Sequence, residues 1–411
     1  MQVEMAGFLL SEEGRATLAE LAVQPAALGQ AQQLATLTRL RRRFTSEQAA
    51  GLVEVATARL KAAQQEKFSR AAEMFFTRSG LEQSSGERIT IHRTARFVKA
   101  LPPGSRVADL GCGIGGDSLA LAAYFLVTGV DLDLARLLLA QANLAVYNRS
   151  DNFSISETDI TQFDPTGYQA LFFDPARRTG EGRRLFSVED YAPPLSIIKT
   201  WLPQVPHIAV KIAPGVKYHE LEDYQCEVEI ISEKGNVKEA VLWFGGLRTF
   251  NSDDRPVSRR ATLLPGEFTL TNIEHKPRVT VGKPYQYLYE PDGAVIRAGL
   301  VEELALQIGA TKLDEDIAFL TSDNLAPTPF ARPFKILESM TFNLKKLNQR
   351  LNELGIGRVV VKKRGSPLDP QELEKALKLK GPRQVERIIV LTQVQGVHTA
   401  LICEAAIYEQ D

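Results

Sequence analysis

The chain predicts an α/β fold: a doubly wound parallel sheet of five strands closed by an antiparallel hairpin, with a helical domain before it and a small α/β domain after it. The first observation behind this is alternation. Short apolar runs at 106–110, 125–131, 153–156, 170–174 and 208–212 alternate with helical patterns at 117–123, 134–147, 192–201 and 216–223. Strands separated by helices pair in parallel, because a parallel neighbour needs a crossover of about a dozen residues. The second is how the series ends. Runs at 227–232 and 240–244 are divided by Glu233-Lys-Gly-Asn236, and so short a turn joins only antiparallel neighbours. The third is Val107-Ala-Asp-Leu-Gly-Cys-Gly-Ile-Gly-Gly-Asp117, an apolar run that delivers an acid into a glycine-rich turn and then a helix.

In order, the elements fall into four segments. Residues 1–80 read as a helical domain: Thr45-Ser-Glu-Gln48 has the pattern of a capping box, and Leu52, Val53, Ala56, Leu60 and Ala63 follow at helical spacing. Leu18, Leu21, Leu34, Leu37 and Leu40 mark shorter amphipathic pieces broken at Pro25 and Gly29. Arg39, Arg41, Arg42 and Arg43 end one of them, either as favourable charge at a helix C-terminus or as phosphate contacts. Residues 81–250 hold the sheet, entered through a polar connector at 75–86 and a helix around Ile91-His-Arg-Thr-Ala-Arg-Phe-Val98. Gln83, Ser84, His92 and Arg93 are there to line a site or simply to face solvent. Residues 251–290 read as a linker with some β structure. Residues 291–411 form the second α/β unit, with helices at 299–308, 341–354 and 370–379 and strands near 317–321, 335–338, 359–361, 387–392 and 399–405.

A composition 44% hydrophobic and 24% charged over 411 residues allows real cores and two or three domains. The net charge of −1 hides local basic clusters, so nucleic acid is not excluded. Cys112, Cys226 and Cys403 are far apart, odd in number and without a Cys-x-x-Cys pair, which argues against a disulfide framework or a metal site and for a reducing compartment. No apolar run reaches the ~18 residues of a membrane span, and the N-terminus lacks a basic-then-apolar signal, so a cytoplasmic protein without membrane contact is expected.

Gly111-x-Gly113-x-x-Gly116 by itself fits a dinucleotide fingerprint. Gly111, Gly113 and Gly116 are expected to supply left-handed backbone angles and close approach, with Cys112 and Gly115 completing the loop. Asp109 discriminates. At the carboxyl end of its strand it would repel a pyrophosphate but attract the ammonium and sulfonium of S-adenosylmethionine (SAM), while the loop takes the carboxylate. Three more acids end successive strands. Asp131, flanked by Leu132, is placed to accept both ribose hydroxyls; Asp159 can accept from the adenine amino group, with Ile160 offering its N–H; Asp174 ends the fourth strand. Asp133 reads as a helix cap.

Asp109-Leu-Gly-Cys-Gly-Ile-Gly-Gly, Gly129-Val-Asp-Leu-Asp and Thr158-Asp-Ile resemble the SAM-binding motifs of class I methyltransferases, most closely those of trimethylguanosine-synthase-like and THUMP-associated RNA enzymes. The arrangement is similar to a bacterial family that pairs this core with a C-terminal THUMP-like domain, over 70–245 by specific motifs and over 290–411 by general pattern. The resemblance implies a Rossmann-like sheet, SAM as cofactor with S-adenosylhomocysteine as product, and structured RNA (rRNA or tRNA) as partner.

In that family the segment after the fourth strand reads Asp/Asn-Pro-Pro-aromatic; here it is Asp174-Pro-Ala-Arg-Arg-Thr-Gly180. Methyl transfer is an in-line displacement in which positioning supplies most of the catalysis. Asp174 and the Pro175 carbonyl can both accept from an exocyclic amine and aim its lone pair. Ala176 stands in place of the second proline and Arg177 in place of the aromatic, which weighs against an aminopurine acceptor. Arg177, Arg178, Arg183 and Arg184 would suit phosphate instead. A uracil C5 mechanism needs a cysteine nucleophile, and Val210-Lys-Ile-Ala-Pro-Gly215 offers none; Cys226 reads as inert core. Lys211 and Lys217 are either substrate contacts or surface lysines. In the last segment Lys345, Lys346, Arg350, Lys362, Lys363, Arg364, Lys375, Lys378, Lys380, Arg383 and Arg387 concentrate base that an RNA-binding domain could use. The expected activity is therefore SAM-dependent methylation of a nucleobase in structured RNA. The alternatives are a protein or small-molecule substrate, or SAM and RNA binding without catalysis.

Overall fold

The computed structural model, which describes residues 1–29, 31–177, 185, 187–273 and 278–406, opens with four helices: α1 (Val3–Leu10), α2 (Glu12–Ala22), α3 (Gln33–Leu40) and α4 (Ser46–Gln64). The capping box is present. Thr45 Oγ1 accepts from Gln48 N while the Gln48 side chain accepts from Thr45 N, satisfying two donors that the first turn of α4 leaves free. Two short helices, α5 (Arg78–Gln83) and α6 (Glu87–Ala100), lead into the alternating series: β1 (Arg106–Leu110), α7 (Gly116–Leu121), β2 (Leu126–Asp131), α8 (Leu134–Val146), β3 (Phe153–Glu157), β4 (Ala170–Phe173), α9 (Ile198–Trp201) and β5 (His207–Ile212). The turn Lys234-Gly235, with both φ angles positive, then joins β6 (Glu227–Glu233) to β7 (Asn236–Trp243).

The chain divides into two compact units, 1–227 with 239–256 and 228–238 with 257–411. In the first unit the strands run in the order β3-β2-β1-β4-β5-β7; all pairs are parallel except β5–β7. β4 and β5 are buried almost throughout, as parallel strands covered on both faces must be. The apolar faces of the N-terminal helices do not close on themselves. Leu9, Leu18, Leu21, Leu40, Leu52 and Val55 pack in one cluster with Phe75 and with Ala135, Leu139 and Ala142 of α8.

Two sequence-based helices are reduced. Only Ile198–Trp201 of the helix expected at 192–201 is α-helical, because Pro193 and Pro194 open the segment and Ala192 is held extended in a bridge to Ala176. The segment expected helical at 216–223 is a 3₁₀ stretch, Tyr218–Tyr224, in which Glu220 turns to accept from Ser187 Oγ and Val188 N.

In the second unit β6 pairs in parallel with β8 (Arg259–Leu264), which pairs antiparallel with β9 (Phe268–Thr271). A mixed sheet follows, built from β10 (Tyr287–Pro291), β11 (Thr311–Lys312), β12 (Leu320–Ser322), β13 (Ala331–Thr341), β14 (Arg358–Lys363), β15 (Glu386–Val394) and β16 (Val397–Ala405) in the order β11-β12-β10-β13-β16-β15-β14. The helices α10 (Gly293–Ala298), α11 (Val301–Gln307), α12 (Leu344–Glu353) and α13 (Pro370–Ala376) complete it. The base read from the sequence here is partly paired: Arg350 with Glu338 and Glu353, Lys362 with Glu290, Arg387 with Glu404. Among the described residues no helix is long and apolar enough to cross a membrane.

Candidate active site

The strand register explains which acids share a face. Asp109 lies opposite Gly129 on β2 and Phe172 on β4, so Asp131 and Asp174 stand two residues further along their own strands. Side chains alternate with a period of two, which puts Asp109, Asp131 and Asp174 on one face, Asp109 deeper and the other two at the rim. The depth matters. Asp109 is 1% exposed; Oδ2 accepts from Ser118 Oγ at 2.5 Å, while Oδ1 has no partner among the described residues. Burial, reinforced by nearby Asp117, pushes its pKa up to about 8.

Between β1 and α7 the loop makes its turn with three left-handed glycines, Gly111 (φ +85°), Gly113 (φ +55°) and Gly115 (φ +81°). Gly116, expected from the fingerprint to be one of them, is instead the first residue of α7; Gly115 absorbs the reversal, and Gly116 packs closely on Ser84, whose Cβ lies 3.3 Å from where its own Cβ would be. A Cβ on Gly111 would come within 2.6 Å of the Asp174 carbonyl, whereas one on Gly113 would meet nothing within 4 Å. The loop is thus closed against β4 at one end and open at its crest. The crest is anchored by Asp131, whose Oδ2 accepts from Gly113 N (3.1 Å) and Oδ1 from Asp133 N (3.0 Å). Cys112 turns its sulfur toward Gly129, leaving its backbone to the loop, and burial raises its thiol pKa well above the usual range. Leu132 is 67% exposed beside Asp131.

Asp133 is the helix cap expected, its Oδ1 accepting from Arg136 N. Asp159 is a cap as well: Oδ1 accepts from Thr161 N and Thr161 Oγ1, both at 2.8 Å, and these bonds hold its pKa low, so Oδ2 is the oxygen left for a ligand. Ile160 reaches to 3.9 Å from the Gly111 Cβ position.

Asp174 meets a partner that its own segment does not reveal. Lys211 at the end of β5, 2% exposed, donates to Asp174 Oδ2 at 2.6 Å and to the Gln83 carbonyl at 3.3 Å. Lys211 is therefore neither a surface lysine nor a free substrate contact, while Lys217 is exposed. The Pro175 carbonyl accepts no hydrogen bond among the described residues. Ala176 exchanges two backbone bonds with Ala192, fixing the Asp-Pro segment, and Arg177 is half-buried behind it. Arg178, Arg183 and Arg184 lie outside the described residues. Cys226 is buried, its thiol pushed up to about 12, as inert core should be.

Beneath these groups runs an ion network. Arg93 on α6 is 2% exposed, pairs with Asp117 and Glu239, and lies over the Phe172 ring at 4.9 Å. Burial works against its charge, but Asp117 and Glu239 overcome that and raise its pKa. Ser85 Oγ adds a bond to Glu239 at 2.7 Å. Asp117, Ser118 and Glu239 were not singled out from the sequence. Two signals pointed to them: Arg93 falls on the buried stripe Ile89-Thr90-Arg93-Thr94-Phe97 of α6, and Glu239 precedes the apolar run of β7. A charge on a core face implies an opposite charge facing it.

The connector at 75–86 reaches these groups. Asn143 on α8 accepts from Phe75 N and donates to the Phe75 and Ile114 carbonyls, clamping the connector to the glycine loop. Among the described residues the site thus gathers the carboxylates Asp109, Asp117, Asp131, Asp174 and Glu239 against the cations Arg93 and Lys211. An orphaned Asp109 oxygen, an excess of buried acid and an open crest at Gly113 fit a ligand that carries an ammonium and a sulfonium. Among the described residues no group of three or more His, Cys, Asp or Glu could hold a metal ion.

Comparison with known proteins agrees. Residues 104–230 match the family described as RNA cap guanine-N2 methyltransferase, and residues 331–405 match the THUMP domain-like family. SAM-dependent methyltransferases of Mycobacterium tuberculosis, strains CDC 1551 / Oshkosh and ATCC 25618 / H37Rv, are each 32% identical over 331 residues, covering 79% of this chain and 86% of theirs. A crystal structure described as a methyltransferase of Porphyromonas gingivalis W83 superposes with a TM-score of 0.75 at 19% identity, over 97% of this chain and 99% of that one, and so shares the fold. The chain belongs to the S-adenosylmethionine-dependent methyltransferases and is an enzyme that uses SAM as its cofactor.

Proposed function

We propose that this enzyme methylates an exocyclic amine of a nucleobase in structured RNA. The observation that carries the reading is Asp174: a carboxylate at the rim, immobilised through Oδ2 by buried Lys211, with Oδ1 and the Pro175 carbonyl left to accept from an amine. The match of 104–230 to a guanine-N2 methyltransferase family and of 331–405 to a THUMP-like family supports an RNA acceptor.

SAM supplies an electrophilic methyl group on sulfonium. The chain's residues do the rest by holding and orienting. Asp109, with the backbone of Gly111, Cys112, Gly113, Gly115 and Gly116, would hold the amino-acid end; Asp131 and Leu132 the ribose; Asp159 and Ile160 the adenine. Asp174 would face both cofactor and acceptor. Lys211 holds Asp174 in one rotamer, so that a hydrogen bond from the amine turns its lone pair toward the methyl group rather than toward water. Arg177 stands where an aromatic would stack on the base and would instead meet a phosphate. In this reading segments 1–80 and 291–411 each contact RNA, and segment 81–250 transfers the methyl group.

The test separates holding from aiming. Asp131→Ala weakens SAM binding measured by calorimetry; Asp174→Ala spares binding and abolishes transfer of a radiolabelled methyl group to unmodified total RNA. Equal loss of binding in both variants would refute the division of roles, and labelling of protein but not RNA would refute the substrate.

A further inference from the structure

The turn between α3 and α4 carries charge that the protein itself does not use. Arg39, Arg41 and Arg42 are exposed and their guanidiniums make no hydrogen bond or ion pair with any described residue, while the fourth arginine of the run, Arg43, pairs with Glu20 and covers the Phe44 ring. Favourable charge at the end of α3 would account for one such residue, not for three guanidiniums within four positions, none of them in an ion pair with a described residue. The turn that holds them is rigid. Arg41, Arg43 and Phe44 donate backbone bonds to Leu37 and Leu40; Leu40 and Phe44 are buried, Phe44 edge-on to Phe8; and the capping box starts α4 at the next residue. Beside them lies an open groove of about 620 Å³ whose walls are Ala31, Leu34, Ala35 and Thr38 together with Arg39 and Arg42. Leu34 is 72% exposed, so the groove joins an apolar floor to two free guanidiniums.

We propose that this turn and groove form an RNA-docking surface, the guanidiniums taking successive phosphates and the Leu34 floor taking the face of a ribose or base. The proposal rests on the RNA reading above. It also goes beyond it, because residues 31–44 lie outside both family matches and contribute no group to the methyl-transfer site described above. Free guanidiniums on a fixed turn bind phosphate without first breaking internal pairs or ordering a loop. RNA is favoured over an acidic peptide because the acceptor proposed above is RNA, and guanidiniums at successive positions match phosphates that repeat along its backbone.

The experiment compares the full-length protein with an Arg39→Glu/Arg41→Glu/Arg42→Glu variant, by fluorescence anisotropy on a labelled RNA hairpin across a salt series. Each lost phosphate contact lowers the slope of log K against log[salt] by roughly 0.7–0.9, so a drop of about two to three units is expected. SAM binding and the unfolding midpoint should stay unchanged in the variant. An unchanged slope in a variant that still binds RNA overturns the surface and leaves the RNA reading standing. Absence of RNA binding by the unmutated protein overturns both. Binding of polyglutamate, lost in the variant, would mean an acidic protein partner and overturn the assignment to RNA.

Discussion

The two halves of the strand rim are built by different means. From β1 to β3 the site is assembled locally: Gly113 N–H finds the Asp131 carboxylate 18 residues away, and Asp133 and Asp159 cap the turns that follow them. From β4 to β5 it is assembled from a distance. Asp174 is held by Lys211, 37 residues on, which also grips the Gln83 carbonyl 128 residues back, and the floor beneath depends on Arg93 from α6 and Glu239 from β7. Backbone and short turns suffice for the half at the glycine loop, whereas the other half fixes a carboxylate by charge.

The sharpest way to break the second half is Arg93→Met. It leaves Asp117 and Glu239 buried without their cation, and removing one partner of a buried network costs about 3–5 kcal/mol. Urea unfolding of the full chain should show that loss in the transition of the first unit. A loss below about 1 kcal/mol would mean that water reaches the carboxylates and that the network is not a support. Double replacement of Arg93 and Glu239 by apolar residues should recover part of the loss, because it removes the stranded charge as well.

The first half is tested through its proton. An aspartate in an unfolded chain titrates near 3.9, while folded Asp109 holds its proton to about 8. Between those values the folded state binds more protons, so this group makes the ligand-free protein less stable as pH rises through the window. A cation facing Oδ1 favours the ionised form. Below about pH 8 SAM binding should therefore release a proton, and affinity should rise by up to roughly tenfold per unit between about pH 6 and 8. Calorimetry in buffers of different ionisation enthalpy measures the release directly. Asp109→Asn should abolish it; persistence in that variant would place the proton on Asp117, which burial also raises against the pull of Arg93.

The same contrast explains what could be read from sequence. Strand starts and ends between 106 and 212 were legible to within a residue or two, because apolar runs, glycines and caps are local signals; β1 falls where the alternation puts it. The glycine loop was legible as a loop, with Gly111 and Gly113 turning left as expected, but not its last turn: spacing matched Gly116 to the fingerprint, while the third φ reversal sits at Gly115. The role of Lys211 was not legible at all. A lysine in Val210-Lys-Ile-Ala-Pro shows neither its burial nor its partner until β5 is laid beside β4, and the hydrogen bond to Gln83 requires the connector to be in place. Helices at 192–201 and 216–223 failed for a related reason, since the bridge to Ala176 and the bonds from Ser187 and Val188 are tertiary and override local pattern.

Legibility and energy run in opposite directions here, and the smallest effect makes the point. The capping box at Thr45 was the plainest of all the sequence signals, and the structure has both of its bonds. Thr45→Ala removes one of them and should cost about 1 kcal/mol. The remaining helix is secured by Ala49, Leu52, Val53, Val55, Ala56 and Ala58 in the core rather than by its cap. Urea unfolding of that variant should move the midpoint slightly, with the slope unchanged. A loss approaching that of Arg93→Met would instead mean that the turn before α4 organises the N-terminal helices, and the rigid setting of Arg39, Arg41 and Arg42 would then depend on a single hydroxyl.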